Sequence, residues 1–226
     1  MAIHNSPSAA RRAKLQAAGA AAGRPNSKAW TPYNEAVYWE TRYAKAKGTS
    51  GNVEIEIDFK VSVLAQLIQD EGAETILDLG SGDGRVAAPL LAKLEDVAYR
   101  GVDISRTAAV IAAEKIGERK AKLEVCDFLD PEFSGEADVV LCLDVLYHLS
   151  SQERHDRAVE VISKSFRKFA AICAWNETVG TRFPVLATHV FAHELKFGEE
   201  LEIEKREVPN APHKTLYILR RAQPTG

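Results

Sequence analysis

The stretch ILDLGSGDGR at residues 76–85 runs from an apolar segment directly into three alternating glycines, Gly80, Gly82 and Gly84. Glycine permits positive φ angles and lets a ligand lie against bare backbone. A helical pattern, RVAAPLLAKLE, follows at residues 85–95. In open α/β sheets, ligands bind at the carboxyl ends of the strands, where such a turn lies. The stretch therefore predicts a strand, a ligand-binding turn and a helix.

Strand-like and helix-like segments alternate on both sides of this turn. Because such alternation builds a mostly parallel sheet with helices on its faces, we expect an α/β fold. A helix with apolar residues from Ile55 to Ile68, ending near Gly72, precedes the first strand, and residues 178–196 are expected to form a helix or an ordered loop. The predicted strands span residues 74–79, 97–104, 121–128, 137–145 and 168–175, and the helices between them span residues 85–95, 107–117 and 151–166.

The last strands break the alternation. LEIEKREV at 201–208 and TLYILRR at 215–221 are separated only by PNAPHK. A parallel crossover needs a dozen or more residues, so these two strands must form an antiparallel hairpin. We expect a parallel sheet that is finished by one reversed strand at its edge.

An acid stands at the tip of the second strand. Asp103 lies nineteen residues after Gly84, and a carboxylate there can accept hydrogen bonds from both hydroxyls of a ribose. The alternative for Asp103 is a charge at a helix N-terminus. A nicotinamide or flavin dinucleotide is one candidate for a ligand that carries such a ribose. The GxGxG spacing, the acid Asp78 inside the first strand and the closing hairpin all disfavour it.

The loop and the acid together resemble the first two motifs of class I S-adenosylmethionine-dependent methyltransferases, over residues 38–221. The resemblance implies an α/β, doubly wound, Rossmann-like, seven-stranded, mostly parallel sheet with a C-terminal antiparallel hairpin. It also implies S-adenosyl-L-methionine as the cofactor. Asp78 would orient the loop or the cofactor's amino group, and Asp127 would bind the adenine amino group between Cys126 and Phe128. The implied cofactor-binding residues are Arg42, Asp78, Gly80, Ser81, Gly82, Asp103, Ile104, Cys126, Asp127, Phe128 and Leu143.

The segment LDVLYHLS at 143–150 matches the part of the family that lies beside the transferable methyl group. Methyltransferases acting on adenine or on glutamine carry an Asn/Asp-Pro-Pro-aromatic run there, and the missing prolines argue against such nitrogen targets. Asp144, Tyr147 and His148 are the candidate catalytic residues. His148 is the candidate general base because its pKa lies near working pH. Its alternative is a packed histidine. Tyr147 takes the position of the second acid of related metal-dependent enzymes, so we expect no metal site.

A narrower resemblance lies in YWETRYAKAKGTSGN at residues 38–52, which is similar to bacterial methyltransferases associated with surface glycans. It implies a saccharide-like acceptor. Arg42 would pair with the cofactor carboxylate, or alternatively with Glu40 or Glu54.

Aromatic residues are concentrated at residues 30–43 and either cover the sheet edge or contact the substrate. Trp175 ends the fifth strand on the same functional edge. Asn176 and Glu177, which follow it, are candidates for contact with a polar substrate.

Charge divides the chain unevenly. Residues 1–30 carry five basic residues and no acid, which leaves −8 on the remainder from a total of −3. We expect a flexible basic Ala/Gly-rich tail at 1–29, a helical cover at 30–72 and the methyltransferase domain at 73–226.

The favoured function is O-methylation of a small-molecule or glycan acceptor. The alternatives are a methyltransferase acting on RNA, DNA or protein through its basic tail, and a cofactor-binding protein without catalysis. The acidic body disfavours a nucleic-acid partner.

The three cysteines, Cys126, Cys142 and Cys173, lie in apolar strand-like stretches without metal-ligand spacing. We expect buried reduced thiols, which are typical of a cytoplasmic protein. No apolar run has the length of a membrane span, and no secretory signal is expected. The pattern leaves the oligomeric state open.

Overall fold

A computed structural model describes residues 34–45, 53–117, 121–176 and 201–222. The chain divides between Pro32 and Tyr33 into two units, and the description concerns the second. The predictions for the tail, for Glu177 and for residues 178–196 lie outside the described residues. Within the described ranges, no helix is long and apolar enough to cross a membrane.

Seven described strands form one sheet in the order β3-β2-β1-β4-β5-β7-β6. Strands β1 to β5 pair in parallel, and β7 pairs antiparallel with both β5 and β6. The predicted fold class is confirmed. The reversed strand does not lie at the edge as expected, because β7 inserts between β5 and β6. The strands are β1 Thr75–Leu79, β2 Ala98–Asp103, β3 Ala121–Val125, β4 Ala137–Leu143, β5 Phe166–Trp175, β6 Leu201–Glu207 and β7 Lys214–Arg221.

The described helices begin and end close to the positions that the sequence predicts, with one exception. Helix α3 covers only Ala87–Leu91, because the chain turns at Ala92 and Lys93 instead of continuing to residue 95. The Ser151 side chain caps α5 by accepting a hydrogen bond from the backbone N–H of Arg154 at 3.2 Å. The helices are α1 Glu35–Ala44, α2 Glu54–Asp70, α3 Ala87–Leu91, α4 Arg106–Ile116 and α5 Gln152–Ser165, with a short 3₁₀ turn at Leu146–His148.

The central strands bury side chains on both faces of the sheet. In β4, Val139 and Leu141 pack into the core that α2 and α4 cover. Their neighbours Val140 and Cys142 pack into the core beneath α5. This is why β4 is apolar from Val139 to Leu143 instead of alternating. The polar residues that follow β4 are therefore presented at the sheet edge.

Two strands end earlier than the sequence predicts, and both differences shape the site. Strand β3 ends at Val125, so Cys126, Asp127 and Phe128 follow it as a loop. Strand β4 ends at Leu143, because Asp144 turns the chain with a φ of 61°. Positive φ is uncommon outside glycine but is tolerated by aspartate better than by most residues.

Candidate active site

A cavity opens at the carboxyl ends of β1 to β4, beneath helix α1. Its walls come from the loops after these four strands, and its roof comes from α1. This is the edge at which the sequence predicted ligand binding. The cavity brings together the following predicted residues: Asp78, Gly80, Ser81, Gly82, Asp103, Ile104, Cys126, Asp127, Phe128, Leu143, Asp144 and His148.

The glycine loop is held against the sheet and leaves no room for side chains at its start. The backbone N–H groups of Gly80 and Ser81 both donate to the carbonyl oxygen of Val102, at 2.8 and 3.0 Å. Gly80 has a φ of 76°, and a Cβ there would lie 2.5 Å from a methyl carbon of Val145. The bare backbone that the sequence predicted is therefore a steric requirement of this turn.

Asp103 fastens the loop to the end of β2. One carboxylate oxygen accepts from the N–H of Gly82 at 2.8 Å, and the other accepts from the N–H of Ser105 at 2.8 Å. Each oxygen still has lone pairs for a ligand, because a carboxylate offers about four acceptor positions. Burial raises the pKa of Asp103, although these two hydrogen bonds oppose the shift. Asp103 can therefore bind hydroxyl donors while it holds the glycine loop in place.

Asp127 lines the cavity from the loop after β3, and Asp78 lines it from β1. Asp127 accepts from the N–H of Leu129 at 2.9 Å and from the Arg154 guanidinium at 2.8 Å. Asp78 accepts from the Tyr99 hydroxyl at 2.7 Å. Three acceptor carboxyls are thus distributed along one cavity. The set is complementary to a ligand that carries an ammonium group, a ribose diol and an aromatic amine.

Burial raises the pKa of Asp78 to about 7, although the hydrogen bond from Tyr99 opposes the shift and the charge of Asp103 adds to it. A carboxyl with this pKa is only part ionised at neutral pH. A bound cation would favour the carboxylate. Asp78 therefore fits the ammonium group of an amino-acid ligand.

We expect Asp78→Asn to stabilise the free protein and to weaken cofactor binding. The folded pKa of about 7 lies above the ordinary aspartate value of 3.8, so ionisation of Asp78 costs stability as pH rises from about 4 to 7. The asparagine variant avoids this cost. Its advantage in the free energy of unfolding should grow by about 1–3 kcal/mol between pH 5 and pH 8.

Thermal melts at the two pH values, together with calorimetry of S-adenosylhomocysteine binding, check this expectation. Asp130→Asn is the matched control, because Asp130 lies in an exposed turn and accepts from the N–H of Glu132. An advantage of Asp78→Asn that does not change with pH would contradict the burial argument.

Helix α1 is held over the cavity at two places. Glu35 forms an ion pair with Arg154 at 2.8 Å and accepts from the N–H of Ser150. Glu40 accepts from the side chains of Ser105 and Thr107, and these bonds lower its pKa to about 2. Sequence analysis missed both attachments. No local pattern relates residues that lie 65 to 119 positions apart.

Trp39 and Tyr43 line the cavity from α1, so part of the predicted aromatic cluster faces the site. Arg42 lies on the same helix, and its guanidinium carbon is 6.0 Å from the centre of the Trp39 ring. The described arginines of the cavity lining are Arg85 and Arg154, both missed in the sequence. The binding of a cofactor carboxylate by Arg42 stays a prediction.

The candidate catalytic residues meet where β4 ends. The His148 ring lies in the cavity wall, 4.9 Å from Trp39 and 4.4 Å from Tyr147 between ring centres. Tyr147 stacks on Trp175 at 4.6 Å, and its hydroxyl donates to Asp144 at 2.9 Å. Of the three, His148 presents a ring to the cavity, Asp144 also lines it, and Tyr147 is buried behind them.

The pKa values of His148 and Asp144 are both lowered in the folded protein. Burial lowers the pKa of His148 to about 4; the Asp144 carboxylate opposes this shift, and Arg42 and Lys214 add to it. For Asp144, burial is outweighed by the cations Lys60 and Lys214, which bring its pKa to about 2. At neutral pH the imidazole is therefore uncharged and able to accept a proton, and the carboxylate is ionised.

The remaining predicted side chains are placed as follows. Cys142 and Cys173 are buried free thiols, whereas Cys126 is half-buried and lines the cavity. Asn176 donates to the carbonyl oxygen of Pro212 and to Thr215, which ties it to the hairpin. No cluster of three metal-ligating side chains is found in the described ranges, and the expectation of a metal-free site stays a prediction.

Comparison with protein families gives one match, in which residues 77–168 correspond to a methyltransferase domain. The matched stretch runs from β1 to the start of β5 and includes the glycine loop, Asp103, Asp127 and His148. Among curated proteins, no sequence matches this chain.

Solved structures give several matches with the same fold. Magnesium protoporphyrin IX methyltransferase from Synechocystis PCC 6803, with bound S-adenosylhomocysteine, superposes with a TM-score of 0.66 at 17% identity, covering 82% of this chain and 97% of that chain. The N-methyltransferase NodS from Bradyrhizobium japonicum WM9, also with S-adenosylhomocysteine, gives 0.66 at 15% identity, covering 84% and 98%. An O-methyltransferase family protein from Burkholderia thailandensis gives 0.57 at 16% identity, covering 82% and 63%. At these identities the likeness concerns the fold.

Proposed function

We propose that this chain, an S-adenosylmethionine-dependent methyltransferase by its domain and fold, transfers the methyl group to a hydroxyl oxygen of a small acceptor molecule. The observation that carries the proposal is the place of His148. Its uncharged imidazole lies in the cavity wall, in the short turn after β4, and Leu143 and Asp144 line the same cavity. A hydroxyl acceptor must lose a proton during the transfer, and an imidazole can accept it.

The chain's acids fit the cofactor S-adenosylmethionine. Asp78 would bind its ammonium group, Asp103 its ribose hydroxyls, and Asp127 its adenine amino group, with Cys126 and Phe128 beside the ring. When bound, the cofactor supplies an electrophilic methyl group on a positively charged sulfur. The protein contributes mainly position, because an in-line displacement requires the acceptor atom aligned behind the methyl carbon.

His148 handles the proton in this proposal. As the acceptor oxygen forms its bond to the methyl carbon, the bond from that carbon to sulfur breaks, and the hydroxyl proton passes to the imidazole. The resulting imidazolium is unstable at this site, since its pKa is about 4, so it returns the proton to solvent at neutral pH. The base is thereby regenerated without another residue.

The position of Trp39 favours a small acceptor with a flat or saccharide-like face. Its indole is part of the cavity wall and meets the His148 ring at an interplanar angle of 81°. A rigid aromatic ring in a cavity wall offers a contact surface to planar rings. The narrower resemblance to methyltransferases associated with surface glycans is consistent with this class. The following experiment distinguishes methylation of a small acceptor from the alternative, methylation of a macromolecule.

The experiment supplies methyl-labelled S-adenosylmethionine to the purified full chain with separate pools of hydroxylated small molecules, saccharides, amines, nucleic acids and proteins. We expect label in a low-molecular-weight hydroxyl compound, bound as a base-stable methyl ether. His148→Phe, which keeps a ring beside Trp39 and Tyr147 but removes the proton acceptor, is the matched control and should reduce this label. Label confined to nucleic acid or protein would overturn the proposal, and label in the amine pool would replace the acceptor oxygen with nitrogen.

Deletion of residues 1–28 should leave both folding and cofactor affinity unchanged. The segment is rich in Ala, Gly and Arg and offers no apolar face to a core. Melting temperature and calorimetry of S-adenosylhomocysteine binding check this for the truncated chain. A large fall in melting temperature would show that the segment packs. Loss of transfer at unchanged stability would instead favour a macromolecular acceptor.

A further inference from the structure

Four charged side chains are buried together beneath the end of β4. Glu56 and Lys60 come from α2, Asp144 follows β4, and Lys214 begins β7. Their side chains are 7%, 0%, 8% and 5% exposed, respectively. The cluster carries two positive and two negative charges, so it is balanced as a whole. None of the sequence motifs includes Glu56, Lys60 or Lys214.

The contacts of this cluster converge on Asp144. Lys60 contacts one oxygen of Asp144 at 2.5 Å, and Lys214 lies 3.2 Å from the other. Glu56 contacts Lys214 at 2.9 Å and Lys60 at 4.0 Å. Asp144 therefore has a lysine on each side, and Glu56 connects the two lysines behind it.

A buried ionic cluster is an expensive way to hold three segments together. Moving a charge out of water costs several kcal/mol, and apolar residues of the same volume often give equal or greater stability. Stability alone therefore gives no reason for two lysines at this place. The position of the cluster, directly under the candidate active site, suggests a different reason.

Asp144 passes the effect of the cluster to the active-site wall. It accepts from the Tyr147 hydroxyl at 2.9 Å, and Tyr147 is fixed between Trp175 and the His148 ring. Asp144 also adopts a φ of 61°, a strained backbone that persists only when its surroundings determine it. The two lysines supply such surroundings. Their loss would release Asp144, then Tyr147 and then His148.

We propose that Lys60 and Lys214 are positioning residues that hold the Asp144 carboxylate and, through Tyr147, fix the His148 ring against the methyl-transfer position. The inference rests on the proposed function for the role of His148. It assigns Asp144 and Tyr147 to positioning as well, since the Asp144 oxygens are engaged by Lys60, Lys214 and Tyr147.

The test measures the titration of His148 in the free full-length protein, by NMR of ¹⁵N-labelled histidine, with His148→Phe identifying the signal. The charged groups that face the ring are Asp144 beside it, Arg42 from α1 and Lys214 from β7. Lys60→Met and Lys214→Met each remove a positive charge near Asp144 and loosen the turn. Both changes should raise the His148 midpoint, by roughly one pH unit.

Lys60→Arg retains the charge and should restore a low midpoint. Lys164→Met is the matched control, because Lys164 is exposed and forms an i,i+4 surface contact with Glu160. The His148 midpoint in this variant should equal that in the wild type. Tyr147→Phe keeps the stacked ring and removes only the hydroxyl, so it serves if a lysine variant fails to fold, and it should also shift the His148 signal.

S-adenosylhomocysteine affinity should stay within about threefold in the lysine variants. With an acceptor identified by the labelled pools, kcat should fall at least about tenfold with little change in the cofactor KM. A lower melting temperature with an unmoved His148 midpoint would overturn the proposal and leave a purely structural cluster. Collapse of S-adenosylhomocysteine binding would also overturn it, since the cluster would then support the cofactor pocket. Neither result depends on finding an acceptor, so failure of the proposed function remains distinguishable.

Discussion

Replacing His148 with alanine is expected to lower turnover by roughly 10²–10⁴-fold, the usual contribution of proton transfer by a positioned side chain. The imidazole lies in the cavity wall after β4 and is uncharged at neutral pH. Cofactor affinity should barely change, because the acids that fit the cofactor belong to β1, β2 and the loop after β3. Steady-state kinetics with the identified acceptor and calorimetry with S-adenosylhomocysteine check both parts.

A second variant, His148→Phe, separates the basicity of the ring from its packing. His148→Phe preserves contact with Trp39 and Tyr147 without a nitrogen, so it should be nearly as impaired as alanine. A phenylalanine variant that retains wild-type turnover would show that the ring is needed only for packing. A loss below about tenfold in the alanine variant would mean that proximity alone carries the reaction.

The pH dependence of the wild type gives independent information. An unperturbed histidine would produce a limb near pH 6.5. Burial lowers the pKa of His148 to about 4, so the imidazole stays able to accept a proton throughout the neutral range. We therefore expect kcat to be flat from about pH 6 to 8 and to fall only as pH approaches 4. A fall in kcat as pH drops from 7 to 6 that disappears in His148→Phe would contradict the burial of this ring.

Asp103→Ala should weaken S-adenosylmethionine binding by roughly 1–3 kcal/mol, or about 5- to 150-fold in the dissociation constant. Asp103 has two tasks in the structure. It can accept from the ribose hydroxyls, and it already accepts from the N–H groups of Gly82 and Ser105. Alanine removes both, so we expect the effect toward the upper end of this range. Calorimetry on the purified variant measures it.

The matched control for this change is Asp130→Ala. Asp130 also accepts from a backbone N–H two residues ahead, but it is exposed and outside the cavity. Its removal should leave cofactor affinity unchanged. Asp103→Asn keeps an oxygen acceptor and should fall between the wild type and alanine. Equal affinity in the wild type and Asp103→Ala would mean that the ligand lies elsewhere in the cavity.

Local sequence pattern predicted the parallel strands, the glycine turn between strand and helix, and the closing hairpin. Apolar runs with glycine turns specify buried parallel strands, and six residues between the last two strands force a hairpin. Asp103 was predicted because it ends a strand, and parallel strands bring such positions to one edge. Asp78 and Asp127 were predicted from the resemblance to class I methyltransferases. The insertion of β7 between β5 and β6 was not predicted, because short-range pattern fixes the pairing of a hairpin but not which of its strands joins the sheet.

The tertiary structure decided what depends on residues distant in the chain. Trp39 and Tyr43 became part of the cavity because Glu35 and Glu40 attach α1 to Arg154, Ser105 and Thr107. The low pKa of His148 follows from burial, which no spacing in the sequence encodes. Lys60 and Lys214 would be interpreted from sequence as ordinary solvated lysines, yet they are buried beside Asp144. Sequence determines which groups stand at the ends of the strands, whereas side-chain packing between distant segments determines their charge, their partners and thus their chemistry.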